Sequence, residues 1–247
     1  MNIFKQKPKY PDTKVQSYLP ELHGLNNELR KGRNIYEGYQ RGWGLQFSDL
    51  HKKVLADPLY KEAMKLAHGR TIMSELNRMN IFLILRFYLQ NSAQGHIIEF
   101  GSYKGGNAIF MAYVVGKLYP GMKVYALDSY TGMPPTDKSI DAHNEGDFDD
   151  VILDELQVYV NTIDLPNLKL IKGYFEDTVS GVLEEAENIV LAHIDCDVLP
   201  SVQYSYESVK SYMTVGGYIV FDDATVSSCL GATEVVEELL IRRDGLN

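Results

Sequence analysis

The chain of 247 residues has only two cysteines, Cys196 and Cys229, and a single tryptophan. Two isolated thiols offer neither a disulfide framework nor metal-type spacing, so both are expected to be reduced bystanders. No run of eighteen apolar residues occurs, which excludes an apolar membrane-spanning helix. The opening segment MNIFKQKPKYPDTK lacks the apolar core of a secretory signal, and a soluble cytoplasmic protein is expected. Blocks of five like charges are also missing, while the net charge is -9. That leaves no broad basic footprint for nucleic acid or an anionic membrane and favours a small or neutral substrate. Internal repeats and low-complexity tracts are absent too.

What is present suits one domain with an appendage, since 45% of the residues are hydrophobic and 23% charged. Residues 1–45 are rich in Gly, Pro, Tyr and charge without a sustained period, and read as an irregular arm. Its aromatic stretch NIYEGYQRGWGLQF offers Tyr36, Tyr39 and Trp43, which would pack the arm or a dimer contact, or else stack on a sugar ring. Phe47 to Ala67 and Ile72 to Leu89 show helical spacing, giving helices that could cover a sheet or the partner in a homodimer. The expected division is therefore an arm with helices over 1–90 and a catalytic core over 91–247.

From residue 96 strands and helices alternate. The pattern predicts strands at 96–101, 123–128, 168–172, 189–195 and 217–222, and helices at 104–118, 150–162, 177–186, 201–213 and 231–243. A polar loop runs to about residue 149 between the second strand and its helix; loops of such length are commonly functional lids. Short apolar strands joined by crossover helices imply an α/β fold with a doubly wound, mostly parallel, Rossmann-like sheet. Ligands in such sheets bind beyond the carboxyl ends of the strands.

Those ends carry EFGSYKGG, LDSYTGMPP, KGYFEDT, HIDCD and VFDDA. The first, with Gly101, Gly105 and Gly106, is neither a phosphate-cradling loop followed by Lys nor a dinucleotide turn. An NAD-dependent oxidoreductase would need a glycine arrangement that this chain lacks. Glu99 precedes the turn, where a carboxylate repels a pyrophosphate but attracts a cation, and this points to S-adenosylmethionine. Asp128 stands where a ribose-binding acid belongs. Asp195, Asp222 and Asp223 end the fourth and fifth strands, which should be neighbours; three carboxylates converging there call for Mg2+ or Ca2+. Asp197 is a further candidate. His193 shares the period-two face of Asp195, but imidazole has little affinity for Mg2+, so a satisfied core histidine is expected.

Together, IIEFGSYKGGNAIFMA, LDSYTGMPP, DAHNEGDF, LIKGYFEDTV, HIDCDVLPSVQYSYESV and VGGYIVFDDA resemble the successive motifs of the macrocin O-methyltransferase (TylF) family. The resemblance spans about Thr71 to Gly231 and implies a class I methyltransferase fold. It also implies a metal-dependent, S-adenosylmethionine-using enzyme that methylates a sugar hydroxyl of a glycoside, natural product or nucleotide-linked sugar. It puts Glu99, Gly101, Tyr103 and Asn107 around the methionyl part of the cofactor, Asp128 on the ribose, and Phe175 and Glu176 beside the adenine. Asp195, Asp222 and Asp223 become ligands of Mg2+, and the loop with Met133, Pro134 and His143 a lid over the acceptor. Asp195 is then the candidate base, with His143 competing. A more distant likeness is to catechol O-methyltransferase, but Val198 stands where that enzyme has its catalytic Lys. A same-fold hydroxylase or a cofactor-binding protein without transfer activity remains a further alternative. Chains of this class continue into an antiparallel pair of strands, whereas this sequence stops at IRRDGLN, so its sheet edge is expected to be truncated or built differently.

Overall fold

Five apolar runs, each too short to make a buried helix, become the strands of one sheet. In the computed structural model, which describes residues 45, 47–89, 94–226 and 228–246, they are β1 (His96–Phe100), β2 (Val124–Asp128), β3 (Leu168–Lys172), β4 (Ile189–Ile194) and β5 (Met213–Phe221). Their order is β3-β2-β1-β4-β5, and every pairing is parallel. β1 is central, and the direction of winding reverses between it and β4. Ligand clefts in open α/β sheets form outside such a reversal.

Among the described residues three helices precede the sheet: α1 (Asp49–Ala56), α2 (Pro58–Ala67) and α3 (Glu75–Leu83), the last running on as a π turn over Ile84–Tyr88. The crossovers are α4 (Gly106–Leu118), α5 (Leu153–Thr162), α6 (Phe175–Ala186) and α7 (Leu199–Val209). After β5 come α8 (Leu230–Glu234) and a π-helical continuation over Val235–Arg243. No helix among the described residues is long and apolar enough to cross a membrane.

The period of two in the strands divides the core into two layers. Ile97, Val124 and Ala126 face the first, where Tyr60 of α2, Phe82 of α3 and Phe110 of α4 meet edge to face at centroid distances of 5.2, 5.6 and 6.3 Å. Ile98, Tyr125 and Leu127 face the second, against Val179 of α6 and Tyr206 of α7. Helices on both faces make the sheet doubly wound, as the strand and helix alternation predicts.

Three boundaries differ from the sequence reading. The helical stretch from Phe47 to Ala67 breaks at Asp57, because Pro58 has no N–H to donate back and Asp57 Oδ1 caps the new helix by accepting the Leu59 N–H at 2.8 Å. The helix expected over 201–213 ends at Val209, and its last residues join a 3₁₀ turn and a longer β5. Among the described residues β5 is an edge of the sheet, and Val215 on it is fully exposed. The aromatic arm of residues 34–47 lies, apart from Leu45 and Phe47, outside the described residues.

Two glycines separate backbone necessity from chance. Gly101 has φ +85°, and a Cβ there would lie 1.9 Å from the carbonyl oxygen of Asp195. Gly116 sits in α4 with ordinary van der Waals space, the nearest atom being Asn167 Nδ2 at 3.5 Å. Thermal or denaturant unfolding should therefore show that Gly101→Ala loses about 3 kcal/mol or more, while Gly116→Ala gains about 0.5–1 kcal/mol from helix propensity. Equal effects would contradict this reading of the β1–β4 contact.

Candidate active site

The turn after β1 is held in a tight, partly left-handed path. Gly101, Tyr103 and Gly105 have φ of +85°, +48° and +74°, and Gly105 is the residue from which α4 starts. Tyr103 carries a side chain in a region that favours glycine, so something must hold it there. Asp128, at the end of β2, does so: its Oδ2 accepts the Tyr103 N–H at 2.8 Å and its Oδ1 the Tyr130 N–H at 2.7 Å. Burial pushes the Asp128 carboxyl up, and these backbone donors work against that rise. The Tyr103 hydroxyl donates to Asp150 Oδ1 at 2.6 Å, and its ring meets Phe148 edge to face.

Glu99 and His193 are direct neighbours across β1 and β4, and both are buried. Glu99 Oε1 accepts from Asn107 Nδ2 at 2.7 Å and lies 3.2 Å from His193 Nδ1. Its Oε2, like Asn107 Oδ1, is buried with no partner. Two orphaned acceptors side by side, one of them on a carboxylate, suit a donor-rich cation such as an ammonium group. The residues thus fit the methionyl end of S-adenosylmethionine.

His193 departs from the satisfied core histidine expected of it. Its Nε2 has no hydrogen-bond partner and lies 3.7 Å from Asp222 Oδ1. Burial opposes a charge on the ring, but the Asp222 and Glu99 carboxylates outweigh that and push its pKa well up.

Donor atoms of His193, Asp195 and Asp222 lie within 4.8 Å of one another. Asp223 lines the same cleft but turns its Oδ2 to accept the Asp197 N–H at 3.2 Å, so the expected trio of aspartates is not the tightest group. Burial, then repulsion from Asp222 and Asp223, pushes the Asp195 carboxyl well above the usual range. Crowded, partly buried carboxylates suit a hard divalent cation, and the oxygens of Asp195 and Asp222 fit that role. Sequence reasoning missed Asn77: from α3 its Nδ2 donates to Asp222 Oδ1 at 2.7 Å. A lone Asn in an amphipathic helix carries no signal of such a reach.

Asn77, Asp128, Asp195, Asp222 and Asp223 line a cleft of about 520 Å³, and Glu99 and Asn107 line a small pocket of about 30 Å³ that shares Gly101, Tyr103 and Asp195 with it. Phe175 and Glu176, at the start of α6, line the larger cleft, as do Met133, Pro134 and Phe148 of the long loop. His143 does not line it. Its Nε2 lies 3.4 Å from Asp197 Oδ1 and 3.8 Å from Cys229 Sγ. The loop itself is pinned to the core by the Asp141 carboxylate, which accepts the Leu199 N–H at the start of α7, and by a bridge between Asp141 and Cys229. Cys196 and Cys229 are both free and buried; Cys196 borders the cleft, and Cys229 belongs to a polar cluster.

A parallel sheet of this order, with a glycine turn after β1, an acid after β2 and carboxylates after β4 and β5, has the architecture of the class I methyltransferase fold. Residues 50–239 match the macrocin-O-methyltransferase (TylF) family, and the chain belongs to it. It is 22% identical over 218 residues to 8-demethyl-8-(2,3-dimethoxy-alpha-L-rhamnosyl)-tetracenomycin-C 4'-O-methyltransferase of Streptomyces olivaceus, a match covering 75% of this chain and 82% of the relative. It is 21% identical over 188 residues to demethyldecarbamoylnovobiocin O-methyltransferase of Streptomyces niveus, covering 72% and 70%. Among solved structures, the O-methyltransferase NovP superposes with a TM-score of 0.63 at 21% identity, over 80% of this chain and 90% of that one. CalS11, a calicheamicin methyltransferase, gives 0.57 at 20% identity, over 81% and 90%. These two structural likenesses bear on the fold alone.

Asn77 offers a test of the carboxylate rim. Groups that orient metal ligands typically contribute 10- to 100-fold in affinity. Asn77→Ala should weaken Mn2+ binding, followed by electron paramagnetic resonance, about 10-fold, with the fold intact by circular dichroism. Unchanged affinity would remove Asn77 from the site.

Proposed function

We propose that the protein transfers a methyl group from S-adenosylmethionine to a hydroxyl of an uncharged, sugar-containing glycoside, with Mg2+ bound at the carboxylate rim. The observation that carries this reading is the adjacency of an ammonium-seeking pocket of about 30 Å³, lined by Glu99 and Asn107, to a cleft of about 520 Å³ that holds the carboxylates of Asp195, Asp222 and Asp223, the two sharing Gly101, Tyr103 and Asp195 as walls. Gly101, Tyr103 and Gly105 bring the backbone close to the methionyl chain, Asp128 faces the ribose, and Phe175 and Glu176 border the adenine. Asp195 and Asp222 hold the metal, with Asp223 beside them.

S-adenosylmethionine supplies the methyl group, and a divalent cation lowers the pKa of a neighbouring hydroxyl. The chain's own residues do the rest. Asp195, on the cleft wall and beside the proposed metal, takes the acceptor proton on a carboxylate oxygen. His143, which does not itself line the cleft and has its Nε2 against Asp197 Oδ1, is the poorer base. Met133, Pro134 and Phe148 of the long loop exclude water from the acceptor.

The charge of the wall supports a glycoside over a nucleotide-linked sugar. Among the described residues that line the cleft, carboxylates recur from Asp128 to Asp223 and no Lys or Arg is present. A diphosphate would meet repulsion there. The tetracenomycin relative's name, which places its reaction on a rhamnosyl group, supports a sugar hydroxyl as the acceptor.

Methyl-labelled cofactor, Mg2+ and a panel of neutral glycosides and nucleotide-linked sugars test this directly. Label should pass to a glycoside bearing adjacent hydroxyls, and excess EDTA should abolish turnover while leaving cofactor affinity within a few-fold. Transfer only to nucleotide-linked sugars would overturn the acceptor class, and full turnover in EDTA would overturn the metal.

A further inference from the structure

Beside the carboxylate rim lies a second cluster of different chemistry. We propose that His143, Asp197 and Cys229 form a binding site for a thiophilic divalent cation of the Zn2+ type, which staples the long loop to the core. The inference does not rest on the acceptor or on the Mg2+ reading.

The three donors come from three separate segments: the loop after β2, the turn after β4 and the turn before α8. Their atoms are spaced as one face of a coordination tetrahedron. Bonds of about 2.0–2.2 Å from zinc to nitrogen or oxygen and about 2.3 Å to sulfur put ligand atoms roughly 3.3–3.6 Å apart. Here His143 Nε2 to Asp197 Oδ1 is 3.4 Å, Cys229 Sγ to Asp197 Oδ1 is 3.4 Å, and Cys229 Sγ to His143 Nε2 is 3.8 Å. A shift of a few tenths of an ångström completes the face.

The donor set is also selective. A thiolate with an imidazole and one carboxylate favours a softer cation, whereas the neighbouring rim is richer in carboxylate oxygens and suits Mg2+. On the other side of the ring, Asp147 Oδ2 lies 3.7 Å from His143 Nδ1, the side on which carboxylates commonly steady a metal-bound histidine. The His143 and Asp197 side chains keep 21% and 18% of their exposure, which leaves an entry path and room for a water as fourth ligand.

In the metal-free protein the Cys229 thiol donates to Asp197 Oδ1. On binding, that proton leaves to solvent, and bonds from Sγ, Oδ1 and Nε2 to the cation replace the contacts among the three groups. His143 belongs to the loop whose Met133 and Phe148 line the cleft, so an occupied site holds that loop against the core.

Co2+ is the probe, added to the full chain with a reductant and excess Mg2+ to fill the carboxylate rim. One equivalent should give thiolate-to-cobalt charge-transfer absorption with tetrahedral ligand-field bands, and Zn2+ should displace it. The signal should vanish in Cys229→Ser and persist in Cys196→Ser. Zn2+ should also slow proteolysis within residues 129–149 of the wild type at least several-fold, but not in Cys229→Ser. If Cys229→Ser does not fold, His143→Ala takes its place and should bind Co2+ at least 10-fold more weakly. No charge-transfer band in folded wild type, a band that survives Cys229→Ser, or equal Co2+ affinity in His143→Ala would each overturn the site.

Discussion

The close approach of the β1 and β4 ends is the constraint on which the rim depends. Only a glycine at 101 lets the chain leave β1 against the Asp195 carbonyl, since a Cβ would lie 1.9 Å from it. The same register sets Glu99 beside His193, and His193 in turn beside Val220 of β5, whose strand ends just before Asp222. Sheet pairing therefore lays out a buried row from Glu99 through His193 to the Asp222 carboxylate, one strand spacing at a time.

That row is costly to bury. Ionised groups away from water are tolerated when opposite charges and hydrogen bonds compensate them. His193 partly compensates Glu99 and Asp222, yet Glu99 Oε2, Asn107 Oδ1 and His193 Nε2 remain without partners. An apolar core of this size would have no need of such groups. Glu99 and Asn107 wall the small pocket proposed to take the cofactor's ammonium, and His193 stands between Glu99 and the Asp222 carboxylate proposed to hold a divalent cation, which gives the cost a purpose and links the two sites through one imidazole.

Much of this was legible in the sequence because it rests on local periodicity. The strands of β1 to β4 fall within a residue or so of their predicted places, and Glu99, Asp128, Asp195 and Asp222 could be found simply as acids at strand ends. What escaped depends on contacts between distant segments. Asn77 meets Asp222 across 145 positions of chain, and Cys229 meets His143 across 86. His193 read as core because period two shows which face a residue occupies but not whether its nitrogens find partners. Asp223 lines the cleft beside Asp222, and that one of its carboxylate oxygens also accepts the Asp197 N–H is a contact that adjacency in sequence does not show.

The central claim is that the orphaned Glu99 oxygen awaits the cofactor's ammonium group. Calorimetry of S-adenosylmethionine binding to Glu99→Gln tests it most directly, because the substitution keeps shape and removes the charge. The account predicts a loss of about 1.5–3 kcal/mol, roughly 10- to 150-fold in Kd, as for a hydrogen bond between charged groups. Undiminished affinity in a folded Glu99→Gln protein would contradict it.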